Sequence, residues 1–327
     1  MKTIGIIVPR SAVTESVANP RYLFKTANQF LEGQGVEPLF DVILIGEEKE
    51  VPVHDGYSLI RTDALIKEEP KVDVLIIPAL FGDLKETLNA NQALKPYIQS
   101  QYAQGAEVAS LCIGAFLLAN TGLLNGKKCS THWARYQEFK TMFPEVELVD
   151  GGIITEENRI YSSGGANSYW NLLLYLLEKY TNRDTAILAS KFFAVDIDRQ
   201  SQAAFMMFAG QKDHGDQAIL KVQQYIEEHY EERLMIDDLA KMVALSRRSF
   251  ERRFKEATQN PVLGYVQRVK MEVAKRSFEA SKKQVAEVMY EVGYTDPKAF
   301  RTVFKKTTGL TPLAYRNKYQ KINGVQV

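Results

Sequence analysis

The feature that most constrains this chain is a repeat. Phe250, Phe254 and Lys255 recur fifty residues later as Phe300, Phe304 and Lys305. An apolar stripe at helical spacing precedes each copy: Ile236, Leu239, Ala240 and Val243 before the first, Val285, Val288, Met289 and Val292 before the second. Residues at i, i+3, i+4 and i+7 share one face of an α-helix. Ser246 is placed to cap a second helix in the first copy, and Gly293 to make the turn in the second. Two short helices joined by a tight turn, with buried aromatics and basic residues on the second, form a helix-turn-helix. The chain therefore ends in an all-α region built from two such units. Residues 264–278 are expected to be a helix that holds them at a fixed separation.

Charge follows the same division. The whole chain carries 41 Lys+Arg and 40 Asp+Glu, a net of +1. Residues 217–327 hold 21 basic against 13 acidic, which leaves 20 against 27 for residues 1–216. A basic C-terminal third on an acidic body points to a polyanion partner for that third alone. The phenylalanine pairs fix which residues face outward. In the first unit these are Arg247, Arg248, Glu251, Arg252 and Lys255, and in the second Asp296, Lys298, Arg301, Thr302, Lys305 and Lys306. A major groove admits one such helix, and an arginine can grip guanine through two parallel hydrogen bonds. Double-stranded DNA, entered at two successive major grooves, is the expected partner.

The remainder reads as α/β. Short apolar runs at residues 3–8, 40–45, 72–77 and 108–112 suit strands buried on both faces. Helical stretches at residues 20–32, 91–103 and 114–120 lie between them, which implies a doubly wound, mainly parallel sheet. A further helical stretch at 133–142, a hairpin at 152–162, and helices at 166–180 and 181–195 complete this part. The polar stretch 209–216 is expected to be a linker. This gives a first domain at 1–208 and a second at 217–327. With 327 residues, two domains are also the expectation from length. No apolar run suits a membrane span. Two cysteines and four scattered histidines suggest a reducing cytoplasm, with no disulfide scaffold, metal site or cofactor.

Residues 217–321 resemble the DNA-binding domain of AraC-family transcription regulators. The resemblance rests on Leu239-Ala240, Leu245-Ser246, Phe254-Lys255, Arg268, Ala274, Val292-Gly293-Tyr294, Phe300, Phe304-Lys305 and the closing run from Gly309 to Arg316. The chain departs from the family pattern at four places. Gln259 stands where the family has glycine, the following proline is shifted to Pro261, Ala244 replaces a turn glycine, and Met289 replaces an alanine. These changes bear on where the first recognition helix ends and on packing in the second unit.

The run from Ala109 to Ala119 places Cys112 where a strand turns into a helix, and His132-Trp133 follows twenty residues on. This pattern is similar to the DJ-1/PfpI family, related to class I glutamine amidotransferases, over residues 1–180. The resemblance implies a nucleophile elbow whose helix dipole lowers the thiol pKa. It also implies a carboxylate contacting the cysteine, but Ser16 stands at that place, and Pro78-Ala79-Leu80 replaces the glycine pair of an oxyanion hole. Cys112 and His132 are thus expected to be a vestigial pair with no catalytic role. Three roles for Cys112 remain at this point: a packed thiol lining a pocket, a redox sensor, or a nucleophile. The expected effector pocket is formed by Ser16, Ala79, Cys112, Ile113, His132 and Trp133. The sequence reading is a DNA-binding transcription regulator, homodimeric and cytoplasmic, with an unidentified small-molecule effector and RNA polymerase as a further partner. The alternative is a cysteine-dependent hydrolase, hydratase or deglycase with an accessory DNA-binding domain.

Overall fold

The computed structural model describes residues 1–54, 56–197, 202–203, 206–208, 210–212 and 214–320. The chain divides into two compact units, Met1–Gln202 and Ala203–Val327.

In the first unit the apolar runs become strands β1 (Lys2–Ile7), β2 (Phe40–Gly46), β3 (Glu50–Val53), β4 (Ser58–Arg61), β5 (Ala64–Leu65), β6 (Val74–Ile77), β7 (Glu107–Ser110), β8 (Lys128–Cys129), β9 (Glu147–Leu148), β10 (Ile154–Glu157) and β11 (Ile160–Ser163). The helices are α1 (Thr14–Gly33), α2 (Leu84–Ala90), α3 (Leu94–Ala103), α4 (Ala115–Asn120), α5 (Tyr136–Met142), α6 (Tyr169–Tyr180) and α7 (Arg183–Phe192). Seven strands form one sheet in the order β10-β11-β7-β6-β1-β2-β5. All its pairings are parallel except β10 with β11.

Successive residues of a strand point to opposite faces, so each buried run feeds two cores. Ile4, Ile6, Val74 and Ile76 pack with Leu23 and Phe24 of α1 and Leu172 and Leu176 of α6. Ile7, Leu75, Ile77 and Val108 pack with Ile98 of α3 and Phe116 and Leu117 of α4. The fold is the expected doubly wound sheet. Helix α1 begins six residues before Pro20, the expected start, and carries that proline buried in its interior. Helix α2 and the β3–β4 hairpin are additions to the sequence reading.

The second unit is helical: α8 (Gln217–Glu228), α9 (Ile236–Met242), α10 (Arg247–Thr258), α11 (Val262–Ala280), α12 (Val285–Glu291), α13 (Pro297–Thr308) and α14 (Pro312–Tyr319). It has two cores. Phe250 and Phe254 pack with Ile219, Val222 and Leu239. Phe300 and Phe304 pack with Val288, Met289 and Tyr315. Helix α11 serves both, with Tyr265, Val266 and Val269 in the first core and Met271, Ala274 and Phe278 in the second.

Of the stretch expected as a linker, Ala209 and Asp213 lie outside the described residues. Its neighbours and other members bind the second unit. Phe208 donates its N–H to Glu272 (3.1 Å) and sets its ring edge-on to Tyr265. His214 bonds Gln223 (2.8 Å), and Asp216 forms a paired contact with Arg253 at 2.9–3.1 Å.

Candidate nucleic-acid interface and elbow

Helices α10 and α13 are built alike. Ser246 accepts the Ser249 N–H at the start of α10, and Asp296 accepts the Lys298 N–H at the start of α13, where Pro297 takes the first turn. Each helix buries a phenylalanine pair and a threonine: Phe250, Phe254 and Thr258, then Phe300, Phe304 and Thr308. Each ends on a left-handed residue, Gln259 (φ 56°) and Gly309 (φ 75°), whose N–H returns to the carbonyl of Lys255 and Lys305 respectively. The threonines repeat the lock. Thr258 donates to the Phe254 carbonyl (2.7 Å) and accepts from Asn260, while Thr308 donates to the Phe304 carbonyl (2.8 Å) and accepts from Leu310. The first recognition helix therefore ends where the second does, although glutamine stands at the cap.

Burying one face leaves the opposite faces outward. Arg247, Arg248, Arg252 and Lys255 are exposed on α10, with Glu251 half-buried. Lys298, Arg301, Thr302, Lys305 and Lys306 are exposed on α13, with Asp296 at its start. Arg247 pairs with Asp237 (3.3 Å) and Glu251 (3.6 Å), and Arg252 with Glu256 (3.3 Å). Arg301 donates to the Pro297 carbonyl and Thr302 to that of Lys298. Exposed pairs of this kind are weak, typically worth about 0–1 kcal/mol, and exchange readily for other anions.

At the elbow, β7 ends and Cys112 takes a left-handed backbone (φ 53°) as the first residue of a single 3₁₀ turn, Cys112–Gly114, that leads into α4. The turn is pressed against the end of β6. A Cβ on Gly114 would lie 2.4 Å from the Pro78 carbonyl oxygen. The Cys112 N–H donates to Ser163 Oγ (3.2 Å), and its carbonyl accepts from Thr131 Oγ1 (3.0 Å). Neither partner was singled out by the sequence. The thiol is 3% exposed, and burial pushes its pKa up to about 12, against only a small opposing hydrogen bond from the Ile113 N–H. This corrects the expectation of an acidic thiol. Helix α4 has six residues and begins after an intervening 3₁₀ turn, so its dipole is short and set back from the sulfur. Desolvation outweighs it.

The other pocket candidates are engaged with their surroundings. Ser16 is fully buried. Its Oγ donates to the Val13 carbonyl (2.7 Å) and accepts the Ala79 N–H (3.0 Å). The residue at the place of a family carboxylate thus takes up the N–H of Ala79, one of the two residues that stand where the family has its glycine pair. His132 is half-buried, and burial, helped by Arg135, lowers its pKa. Its Nδ1 accepts the Ala134 N–H (3.2 Å), which places the proton of the neutral ring on Nε2. Its ring lies 5.5 Å from that of half-buried Trp133, and half-buried Ile113 follows the cysteine. Among the described residues no hydrogen bond joins Cys112 to His132.

Comparison with known proteins gives matches to both units. Residues 25–179 match the DJ-1/PfpI family, and residues 239–318 match a helix-turn-helix domain family. The HTH-type transcriptional regulator GbdR of Pseudomonas aeruginosa is 25% identical over 315 residues, covering 95% of this chain and 83% of that protein. An isonitrile hydratase of Pseudomonas putida is 29% identical over 141 residues, or 42% of this chain and 59% of that one. A solved AraC family transcriptional regulator from Pseudomonas putida superposes with a TM-score of 0.50 at 16% identity, over 59% of this chain and all of that chain. No helix among the described residues is long and apolar enough to cross a membrane.

Proposed function

We propose that this chain, which matches the DJ-1/PfpI family over residues 25–179 and a helix-turn-helix domain family over residues 239–318, is a cytoplasmic, homodimeric AraC-type transcription regulator controlled by a small-molecule effector. The observation that carries this reading is the duplicated recognition helix. Helices α10 and α13 end in the same cap and turn the same kind of face outward. On DNA, Arg247, Arg248, Arg252 and Lys255 enter one major groove and Lys298, Arg301, Thr302, Lys305 and Lys306 the next. Glu251 and Asp296 face base edges that donate hydrogen bonds. Base contacts set the sequence preference, and the remaining cations neutralise phosphates. A dimer doubles the interface and raises affinity through effective concentration. RNA polymerase is the downstream partner of such a regulator.

The first unit acts without chemistry in this reading. A neutral buried thiol is a poor nucleophile, and a backbone N–H already bonded to Ser16 stabilises no oxyanion. The match to an isonitrile hydratase supplies the test of the other reading. Isonitriles incubated with the full chain should not be hydrated. Turnover that vanishes in Cys112→Ser would install the enzyme in place of the sensor.

DNA binding is tested by the salt dependence of duplex retention by the full chain. Alanine at Arg248, an exposed residue without an ion pair among the described residues, should cost about 1–3 kcal/mol if it grips a base. At a phosphate the same change should lower the salt slope by about one. Unchanged affinity and slope after replacing Arg248, Lys255, Lys298 and Arg301 together would remove the assignment.

A further inference from the structure

Gln202 is the last residue of the first unit, and its side chain is turned inward. It is 1% exposed. Its backbone N–H bonds the Gly151 carbonyl (3.0 Å). Its Nε2 lies 3.0 Å from the Thr131 carbonyl, 2.9 Å from the Gly152 carbonyl and 3.0 Å from Tyr136 Oη. Thr131 is the residue whose hydroxyl holds the Cys112 carbonyl, so this cluster adjoins the elbow.

The cradle is shaped for a nitrogen. Tyr136 donates its own proton to the Val149 carbonyl, so toward Gln202 its oxygen accepts. Three acceptors therefore converge on one atom, and a carboxamide has only two N–H bonds to offer. An ammonium has three. Among the described residues, the opposite end of the Gln202 amide, Oε1, is buried with no partner, and so is Ser130 Oγ nearby. A Cβ on Gly164 would lie 2.0 Å from Nε2, and one on Gly152 would lie 2.8 Å from Ser130 Oγ. Both positions must stay bare for the cradle to exist.

We propose that this cradle is a binding site for the primary ammonium group of a small-molecule effector, and that the Gln202 carboxamide is a resident stand-in which the effector displaces. The proposal rests on the effector-controlled reading of the protein. An ammonium completes the third hydrogen bond that the amide leaves unmade, and ends the burial of an unpartnered Oε1, which is itself costly. Displacement also changes the tether. Gln202 is four residues from Met206, whose carbonyl is held by Lys275 in the second unit. Without Gln202 seated, the nearest described anchor on the first unit moves back to Ile197, whose side chain packs against the core that α1 and α6 share. A longer tether alters the effective concentration at which one unit meets what the other has bound.

The experiment uses the full chain with ethylammonium as probe and tetramethylammonium, which has no N–H, as control at the same ionic strength. Gln202→Ala should lower the Tm of the first unit by about 2–4 °C for each kcal/mol of hydrogen bonding lost. Ethylammonium should restore much of that, acetamide less, and tetramethylammonium none. In the wild type, ethylammonium should change affinity for duplex DNA by about 5- to 100-fold, and Gln202→Ala should change it in the same direction without any ligand. If Gln202→Ala does not fold, Gln202→Met gives the second route. It keeps the length of the side chain but brings no N–H to the three acceptors, and should shift DNA affinity in the same direction as Gln202→Ala. Equal responses to the two cations, or a Gln202→Ala protein with unaltered Tm, would overturn the site. Absence of DNA binding by the wild type would instead overturn the regulator reading, while the Tm series would still decide on the cradle.

Discussion

The two helix-turn-helix units reach one backbone by different means. The second uses glycine at both left-handed positions, Gly293 in the turn (φ 71°) and Gly309 at the cap (φ 75°). The first uses Ala244 (φ 53°) and Gln259 (φ 56°) at the same places. A side chain in that region costs roughly 1–2 kcal/mol per residue. The first unit has extra support to offset this, because Asp216 caps α8 and clamps Arg253 of α10. The difference teaches that the recognition helix is ended by its threonine lock and its returned N–H, with glycine an aid and not the cause. It also shows where glycine is indispensable. A Cβ on Gly293 would lie 2.0 Å from the Glu231 carbonyl oxygen, a backbone atom that cannot step aside.

The largest effects should be symmetric. Phe254→Ala and Phe304→Ala each empty a fully buried site and should cost about 3–5 kcal/mol in calorimetry of the full chain. A cost confined to one of them would show that only one core is a true packing unit. Next comes the turn, where symmetry should break. Gly293→Ala should lose about 3 kcal/mol from strain and overlap together. Ala244→Gly should be near neutral, because relief of strain offsets added chain entropy. Comparable losses at both would contradict the close approach to Glu231.

Acid should then separate the units. Burial pushes the Asp216 carboxyl up, but the Ile219 N–H and Arg253 together outweigh it and hold the carboxyl below its usual range. A depressed pKa gives stability that is present above the unfolded value, about 3.9, and lost as pH falls through the folded one. The first helix-turn-helix should therefore weaken below about pH 4, and Asp216→Ala should remove that acid step at a cost of about 1–2 kcal/mol at pH 7. An acid melting profile identical in wild type and variant would dismiss the clamp. The smallest effect is a gain. Gln259→Gly should stabilise α10 by up to about 1 kcal/mol, and a loss would mean that the Gln259 side-chain bond to the Glu256 carbonyl matters more than strain.

The repeat was legible because it is a matter of spacing, and Phe250, Phe254, Phe300 and Phe304 needed only helical geometry to be placed. The parallel sheet was legible for the same reason, from apolar runs such as 72–77. What escaped depended on contacts distant in sequence. The start of α1 is expected at Pro20, whereas the helix begins six residues, nearly two turns, earlier and carries the proline in its interior. The thiol of Cys112 was read from its neighbours along the chain, while its pKa is set by residues packed over it. Ser16 was noted for what it lacks. Its bond to the Ala79 N–H joins positions 63 residues apart and has no local signature.

Helix α11 has one further consequence. It spans 19 residues, about 28 Å at 1.5 Å per residue, and builds one core on its first half and the other on its second. Under the proposed entry into two successive major grooves, the duplex sets a pitch of about 34–36 Å per turn, and the two reading heads must match it in phase as well as distance. Inserting one residue between Val269 and Met271 would advance the second head by only 1.5 Å but swing it by about 100° around the helix axis. Each head would keep its own fold, yet the pair could no longer face the same side of the double helix. Length variation in this gene should therefore be tolerated in loops and tails and purged from α11, where a single added codon acts as a rotation.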